Sequence, residues 1–251
     1  PGTAIAGVFT RSATRSAPVL DCQAKLGGDA APGAAILVNS GNSNAFTGGR
    51  GVESVQAITA AVAQTTGVPQ GRVFTSSTGV IGEPLPHDRI IATLDALAGA
   101  AQPAGLEQAA RAIMTTDTFP KGACATVEIG GKPVKIAGIA KGSGMIAPDM
   151  ATMLVYIFTD AQVEQPVLQT LLSTLTDRTF NCITVDSDTS TSDTLLLAAT
   201  GASGVQVGAD DSAFADALHG VMLDLAHQVV RDGEGATKFV EIAVTGAASN
   251  A

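Results

Sequence analysis

The sequence predicts a layered α/β unit, and three observations lead there. Short apolar runs of strand length alternate with longer stretches whose apolar residues recur at helical spacing. Hydrophobic residues make up 45% of the 251 and charged residues only 15%, which suits a large core and excludes a disordered chain. No internal repeat, low-complexity tract or flexible linker divides the sequence, so one unit is expected.

The elements follow in order. The chain opens on what reads as an internal strand, and Ala34 to Asn39 is a short buried strand entering a tight Ser-Gly-Asn loop. From Val52 to Ala63 apolar residues recur at helical spacing until Gly67 and Pro69 stop them. Arg72 to Ser77 reads as a strand, Leu85 to Leu97 and Leu106 to Met114 as helices. Ala125 to Ile129 and Val134 to Ile139 form a hairpin across Gly130-Gly131. Thr152 to Phe158 has the clearest strand character. Val163 to Phe180 and Ser212 to Val230 are amphipathic helices. Ile183 to Val185, Leu195 to Ala198 and Phe239 to Val244 complete the predicted strands.

Charge narrows the function classes. Lys and Arg number 14 against 23 Asp and Glu, a net charge of −9. Residues 1–151 hold 11 basic and 10 acidic side chains, and residues 152–251 hold 3 and 13, so the second part carries the net charge. With no basic run, neither nucleic acid nor an anionic membrane surface is an expected partner. No apolar run reaches the roughly 18 residues of a membrane helix, and no charged-then-apolar leader opens the chain, so a cytoplasmic location is expected. Cys22, Cys124 and Cys182 are odd in number and far apart, which points to a reducing compartment and to small buried hydrophobes.

Familiar catalytic motifs are mostly absent. Gly41 to Gly48 has Walker-like glycines, but Gly49 stands where the lysine belongs. Gly142 to Ala147 matches a dinucleotide fingerprint, yet Pro148 and a β-rich run replace the required helix. His87, His219 and His227 have no metal-ligand spacing, and no metal is expected. Asp186, Asp188 and Asp193 lie in a Ser- and Thr-rich loop that reads as a solvated, self-capping turn rather than a cation site.

The segment Lys141-Gly-Ser-Gly-Met-Ile-Ala-Pro-Asp-Met-Ala151-Thr152 holds the remaining chemistry. A threonine hydroxyl can attack its own preceding peptide bond, and water then cleaves the resulting ester. The product is an N-terminal threonine whose α-amine titrates near pH 8, low enough to act as base for the hydroxyl. On spacing alone Thr152 reads as a residue that merely opens a strand, where β-branched residues are common.

This segment resembles the self-cleavage site of the ornithine acetyltransferases, the bifunctional glutamate N-acetyltransferases of arginine biosynthesis. Ala6-Gly-Val-Phe-Thr-Arg11, Asn39-Ser-Gly-Asn-Ser-Asn-Ala45 with Thr47-Gly48, Ser77-Thr-Gly-Val-Ile-Gly82, Met114-Thr-Thr-Asp-Thr-Phe-Pro-Lys121 and Asp232-Gly-Glu-Gly-Ala-Thr-Lys238 match in the family's order. The resemblance implies a layered αββα sandwich, similar to N-terminal-nucleophile hydrolases with different connectivity. It implies cleavage between Ala151 and Thr152, giving an α part (1–151) and a β part (152–251) that form one compact unit and assemble as α2β2. Thr152 is then the nucleophile, and Thr78 and Gly79 the oxyanion hole. Thr115, Lys141, Thr152 and Glu234 bind substrate, with Lys141 suited to a carboxylate and Glu234 to an ammonium.

Without the resemblance, Lys141 and Glu234 read as surface charge, and Ser77-Thr78-Gly79 as a strand-end turn. Thr116 and Thr118 stand beside Thr115, which leaves that assignment open among them. The implied reaction is ping-pong: an acetyl group passes from N2-acetylornithine to Thr152 and then to glutamate, without metal or redox cofactor. Acetyl-CoA as a further donor stays open.

Two departures stand against the family pattern. Phe46 replaces a common cysteine. The chain is also shorter than the family's precursors at both ends, so a C-terminal wall of the pocket is expected to be missing, and acetyl transfer by these residues alone to be poor. The alternatives are a non-catalytic amino-acid-binding fragment of the same fold, and an amidohydrolase or aminopeptidase using Thr152.

Overall fold

The computed structural model describes residues 2–147 and 153–247. The cleavage candidates Ala151 and Thr152 lie outside the described residues. A five-stranded sheet forms the centre, in the order β1-β8-β6-β5-β4. Its strands are β1 (Ala4–Phe9), β4 (Lys121–Ile129), β5 (Lys132–Lys141), β6 (Leu154–Thr159) and β8 (Thr194–Ala199). β6 and β8 pair in parallel, and the other neighbours are antiparallel. β4 and β5 form the hairpin that the glycine pair predicts, with Gly130 and Gly131 both at positive φ.

The central strands β6 and β8 are apolar without interruption because both faces of the sheet are covered. Val155, Ile157, Leu195, Leu197 and Ala199 point to one side, where α6 (Gln165–Asp177) and α7 (Ser212–Arg231) pack. Leu154, Tyr156, Leu196 and Ala198 point to the other side. There they meet α1 (Ala17–Lys25), α5 (Leu106–Ala112) and one face of a second, smaller sheet. That sheet pairs β2 (Ala35–Asn42) in parallel with β3 (Val73–Val80). Its far face meets α2 (Gly48–Thr66) and α4 (Leu94–Ala100) through Ile58, Val62, Val73 and Leu94. The order is therefore helix, sheet, sheet, helix: the expected αββα layering.

Each long helix buries one stripe. In α7, Phe214, Leu218, Val221, Met222, Leu225 and Val229 recur at three- and four-residue spacing and are buried. α2 ends where Gly67 turns left-handed at φ 73° and returns its N–H to Ala63.

Four expectations change in three dimensions. Leu85 to Leu97 is not one helix but two short ones, α3 (His87–Ile91) and α4. Pro86 bars Leu85 from helical geometry, and the Thr93 hydroxyl donates to the Ile90 carbonyl at 2.8 Å between the end of α3 and the start of α4. Ile183 to Val185 forms no strand; Val185 N–H instead hooks the Ile146 carbonyl at 2.9 Å. Phe239 to Val244 has strand alternation but no ladder partner among the described residues, and Val240, Ile242 and Val244 are exposed. Of the three cysteines only Cys22 is buried, while Cys124 and Cys182 are exposed. A short parallel pair, β7 (Gln162–Val163) with β9 (Gln206–Val207), forms a separate two-stranded sheet. No helix among the described residues is long and apolar enough to cross a membrane.

Candidate functional site

The parallel register of β2 and β3 sets the site's floor. It places Asn39 beside Ser77, Ser40 beside Thr78 and Gly41 beside Gly79, so two separate motifs share one strand end. The Ser77 hydroxyl bonds Asn39 Oδ1 at 2.6 Å. Gly79 sits at φ 127°, and a Cβ there would lie 2.3 Å from the Gly41 carbonyl carbon, so only glycine fits. Thr78 is 4% exposed.

Lys141 ends β5 and crosses to this strand end. Its Nζ donates to Thr115 Oγ1 at 2.7 Å and Thr78 Oγ1 at 3.2 Å. It is buried, unlike the surface cation that its sequence context predicts. Burial is the main force pushing the Lys141 ammonium below the usual lysine range, and the Asp117 carboxylate opposes it.

Asp117 organises the loops around that lysine. Its Oδ1 accepts the Gly142 N–H at 2.7 Å and the Lys121 ammonium at 2.7 Å, and its Oδ2 accepts the Thr115 N–H at 3.0 Å. Burial pushes its carboxyl up, but Lys121 and the two amides outweigh burial and hold it below the usual carboxylate range. Lys121 is fully buried and also reaches Asp232 Oδ2 at 2.5 Å. Asp232 in turn accepts from the Thr118 N–H and hydroxyl. A buried chain of charges thus ties the 114–121 segment to the loop that carries Glu234. Sequence patterning singled out neither Asp117 nor Lys121 nor Asp232; each lay inside a matched motif, but only the fold shows that they meet.

The three neighbouring threonines separate cleanly. Thr115 meets Lys141, Thr116 meets the Ser143 hydroxyl at 2.7 Å, and Thr118 meets Asp232. The Glu234 backbone N–H binds the Ser143 carbonyl at 2.7 Å. Its exposed carboxylate lies over Gly144, where a Cβ would come within 3.0 Å of Oε2. Thr78, Gly79, Thr115, Lys141 and Glu234 therefore gather around one end of the layered sheets.

Both flanks of the 148–152 segment are anchored. Asp186 accepts the Met145 and Ile146 amides, and Thr184 donates to the Ile146 carbonyl at 3.0 Å. On the far side Asp193 Oδ1 accepts the Met153 N–H at 2.9 Å, and Leu154 pairs with Lys141 across β5 and β6. Asp193 departs from the solvated turn that its loop predicts: it is fully buried, and burial drives its carboxyl well above the usual range. Its second oxygen has no hydrogen-bond partner among the described residues. Among the described residues, no group of three or more His, Cys, Asp or Glu is placed to hold a metal ion.

The ArgJ family model matches residues 1–251. The chain is 75% identical over 250 residues to the arginine biosynthesis bifunctional protein ArgJ of Ruegeria pomeroyi, covering 100% of this chain and 61% of that protein. It is 55% identical over 255 residues to the ArgJ protein of Gluconobacter oxydans, covering 100% and 60%. The chain thus spans about three-fifths of the length of these curated relatives. Among solved structures, it is similar to the arginine biosynthesis bifunctional protein ArgJ of Bacillus halodurans. That likeness has a TM-score of 0.51 and 31% identity, over 60% of this chain and 91% of that one. A family match over every residue, and a shared fold in a solved relative, show that this chain belongs to the ArgJ family.

Proposed function

We propose that this chain forms the larger share of a self-cleaving acetyltransferase that moves an acetyl group from N2-acetylornithine to glutamate. Cleavage falls between Ala151 and Thr152, and the freed Thr152 is the nucleophile. Its hydroxyl attacks the acetyl carbonyl while its α-amine takes the proton. The tetrahedral oxygen is met by the Thr78 hydroxyl and the Gly79 N–H. Collapse breaks the amide bond and releases ornithine, which carries the proton away. The amine of glutamate then attacks the acetyl ester, giving N-acetylglutamate and restoring the hydroxyl. Thr115, Lys141 and Glu234 form the polar wall of the substrate pocket. The α and β parts pair as α2β2, and the reaction uses no metal or redox cofactor.

The observation that carries this reading is the meeting of Thr78, Thr115 and Lys141, from three separate motifs, at the strand end opposite Leu154. Leu154 follows Thr152 by two residues. A further support is the solved relative. Its match takes up 60% of this chain yet 91% of its own length, so that solved chain is the shorter of the two, as one part of a divided polypeptide would be.

The test is Thr152→Ala in the full-length polypeptide. Intact mass spectrometry should find one uncut chain, and acetyl transfer should vanish, because both reactions use one hydroxyl. Splitting at the same bond in this variant refutes the proposal. Thr152→Ser should cleave and react slowly, since the hydroxyl persists with altered placement.

A further inference from the structure

We propose that Lys141, besides lining the substrate pocket, works as a positioning residue of the oxyanion hole: its ammonium polarises the Thr78 hydroxyl. The proposal rests on the reading of Thr78 given above.

The geometry carries it. An ammonium has three donors and no acceptor. Those of Lys141 face Thr115 Oγ1 at 2.7 Å, Thr78 Oγ1 at 3.2 Å and Asp117 Oδ2 at 4.0 Å, with the lysine side chain 3% exposed. Two of its donors are therefore committed to protein hydroxyls, and little of its charge reaches solvent.

The Thr78 hydroxyl, by contrast, has an unused function. It accepts from Lys141 through a lone pair, which leaves its own O–H free to donate. Among the described residues no protein acceptor takes that proton. A hydroxyl that accepts from a cation becomes a stronger donor, because the two hydrogen bonds polarise one another. This donor gains most when the substrate carbonyl becomes an oxyanion, so the benefit falls on the transition state.

The surroundings hold the lysine to this task. Asp117 is fixed by two backbone amides and by Lys121, so it cannot swing to draw Lys141 away from Thr78. Lys121 is bound between Asp117 and Asp232 and does not compete for Thr78.

A kinetic double-mutant cycle on the full-length enzyme tests this. Thr78→Ala should lower kcat by roughly 10²–10³, the usual loss for one oxyanion donor. Lys141→Met should lower kcat on the order of tenfold, the difference between a charge-assisted and a neutral hydrogen bond, whatever change in KM accompanies it. In the Thr78→Ala background the same lysine change should cost less than about twofold, because the hydroxyl it acts through is gone. Thr78→Ser should restore sensitivity to Lys141→Met. If a variant is cut too slowly for turnover to be assayed, the cycle is read on the slowed cleavage rate at the Ala151–Thr152 bond, for which the proposal assigns the same hole. Effects that simply multiply, or a rise in KM with kcat held, overturn the polarising role while leaving Thr78 in the hole. Normal turnover in Thr78→Ala overturns both.

Discussion

At the residue scale, the site depends on one buried cation with several charged neighbours. Burial lowers the affinity of Lys141 for its proton, Asp117, Asp193 and Glu234 raise it, and Lys121 lowers it further. The charged form is present below the lowered value and lost as pH rises through it. Acetyl transfer should therefore fall on the alkaline side earlier than an ordinary lysine would dictate. Asp117→Asn removes the main opposing charge, so that limb of the kcat profile should move to lower pH. An unmoved limb would separate Lys141 from the pH dependence. The chemistry of this residue was partly legible beforehand. The motif Lys141-Gly-Ser-Gly marks a candidate, but a lysine in sequence carries no sign of burial, and its three partners lie 26, 63 and 24 residues away. Asp193 teaches the same lesson. Its Ser- and Thr-rich neighbours read as a solvated turn, whereas packing beneath β8 and the Met153 amide made it an internal carboxylate.

At the scale of elements, periodicity served where a segment's partners lie on both faces or along one stripe. β6 and β8 read as continuous apolar runs and are buried on both faces; α7 reads as a stripe and buries one. It failed where an element needs a neighbour that periodicity does not specify. Phe239 to Val244 alternates as a strand should, yet finds no ladder among the described residues. The end of β3 is the element on which the site most depends. Gly79→Ala would force a Cβ into the Gly41 backbone in a conformation that side-chain-bearing residues rarely adopt. The expected cost is about 1–3 kcal/mol of stability, read by denaturant titration, together with a loss of transfer at least as large as that of Thr78→Ala. A fully active Gly79→Ala enzyme would show that this strand end tolerates displacement.

At the scale of the whole molecule, the sheet order decides how a cut chain would hold together. β6 and β8 follow residue 152, while β1, β4 and β5 precede it, and the order β1-β8-β6-β5-β4 places the two later strands between the earlier ones. The buried Lys121–Asp232 pair also spans the two parts. The opposing net charges of the parts contribute little, because exposed ion pairs are weak and salt screens them. The cleaved parts should stay together through size-exclusion chromatography in molar salt and separate only in denaturant. Separation by salt alone would mean that charge, and not strand pairing with apolar burial, joins them.

What the sequence determined by itself is the kind of elements, their order and the set of motifs. Hydrophobic period and turn residues act over a few neighbours, so the hairpin at Gly130-Gly131, the long helices and the strand after Thr152 could all be read locally. Only the tertiary structure decided which motifs meet. The parallel register of β2 and β3 put Gly79 against Gly41, the crossing of Lys141 joined Thr78 to Thr115, and the Asp117–Lys121–Asp232 chain brought Glu234 to Gly144. The physical reason is range. Backbone preference is set within a turn or two of the chain, whereas burial and the charge balance of a site are set by side chains that are distant in sequence and adjacent only once the core has closed.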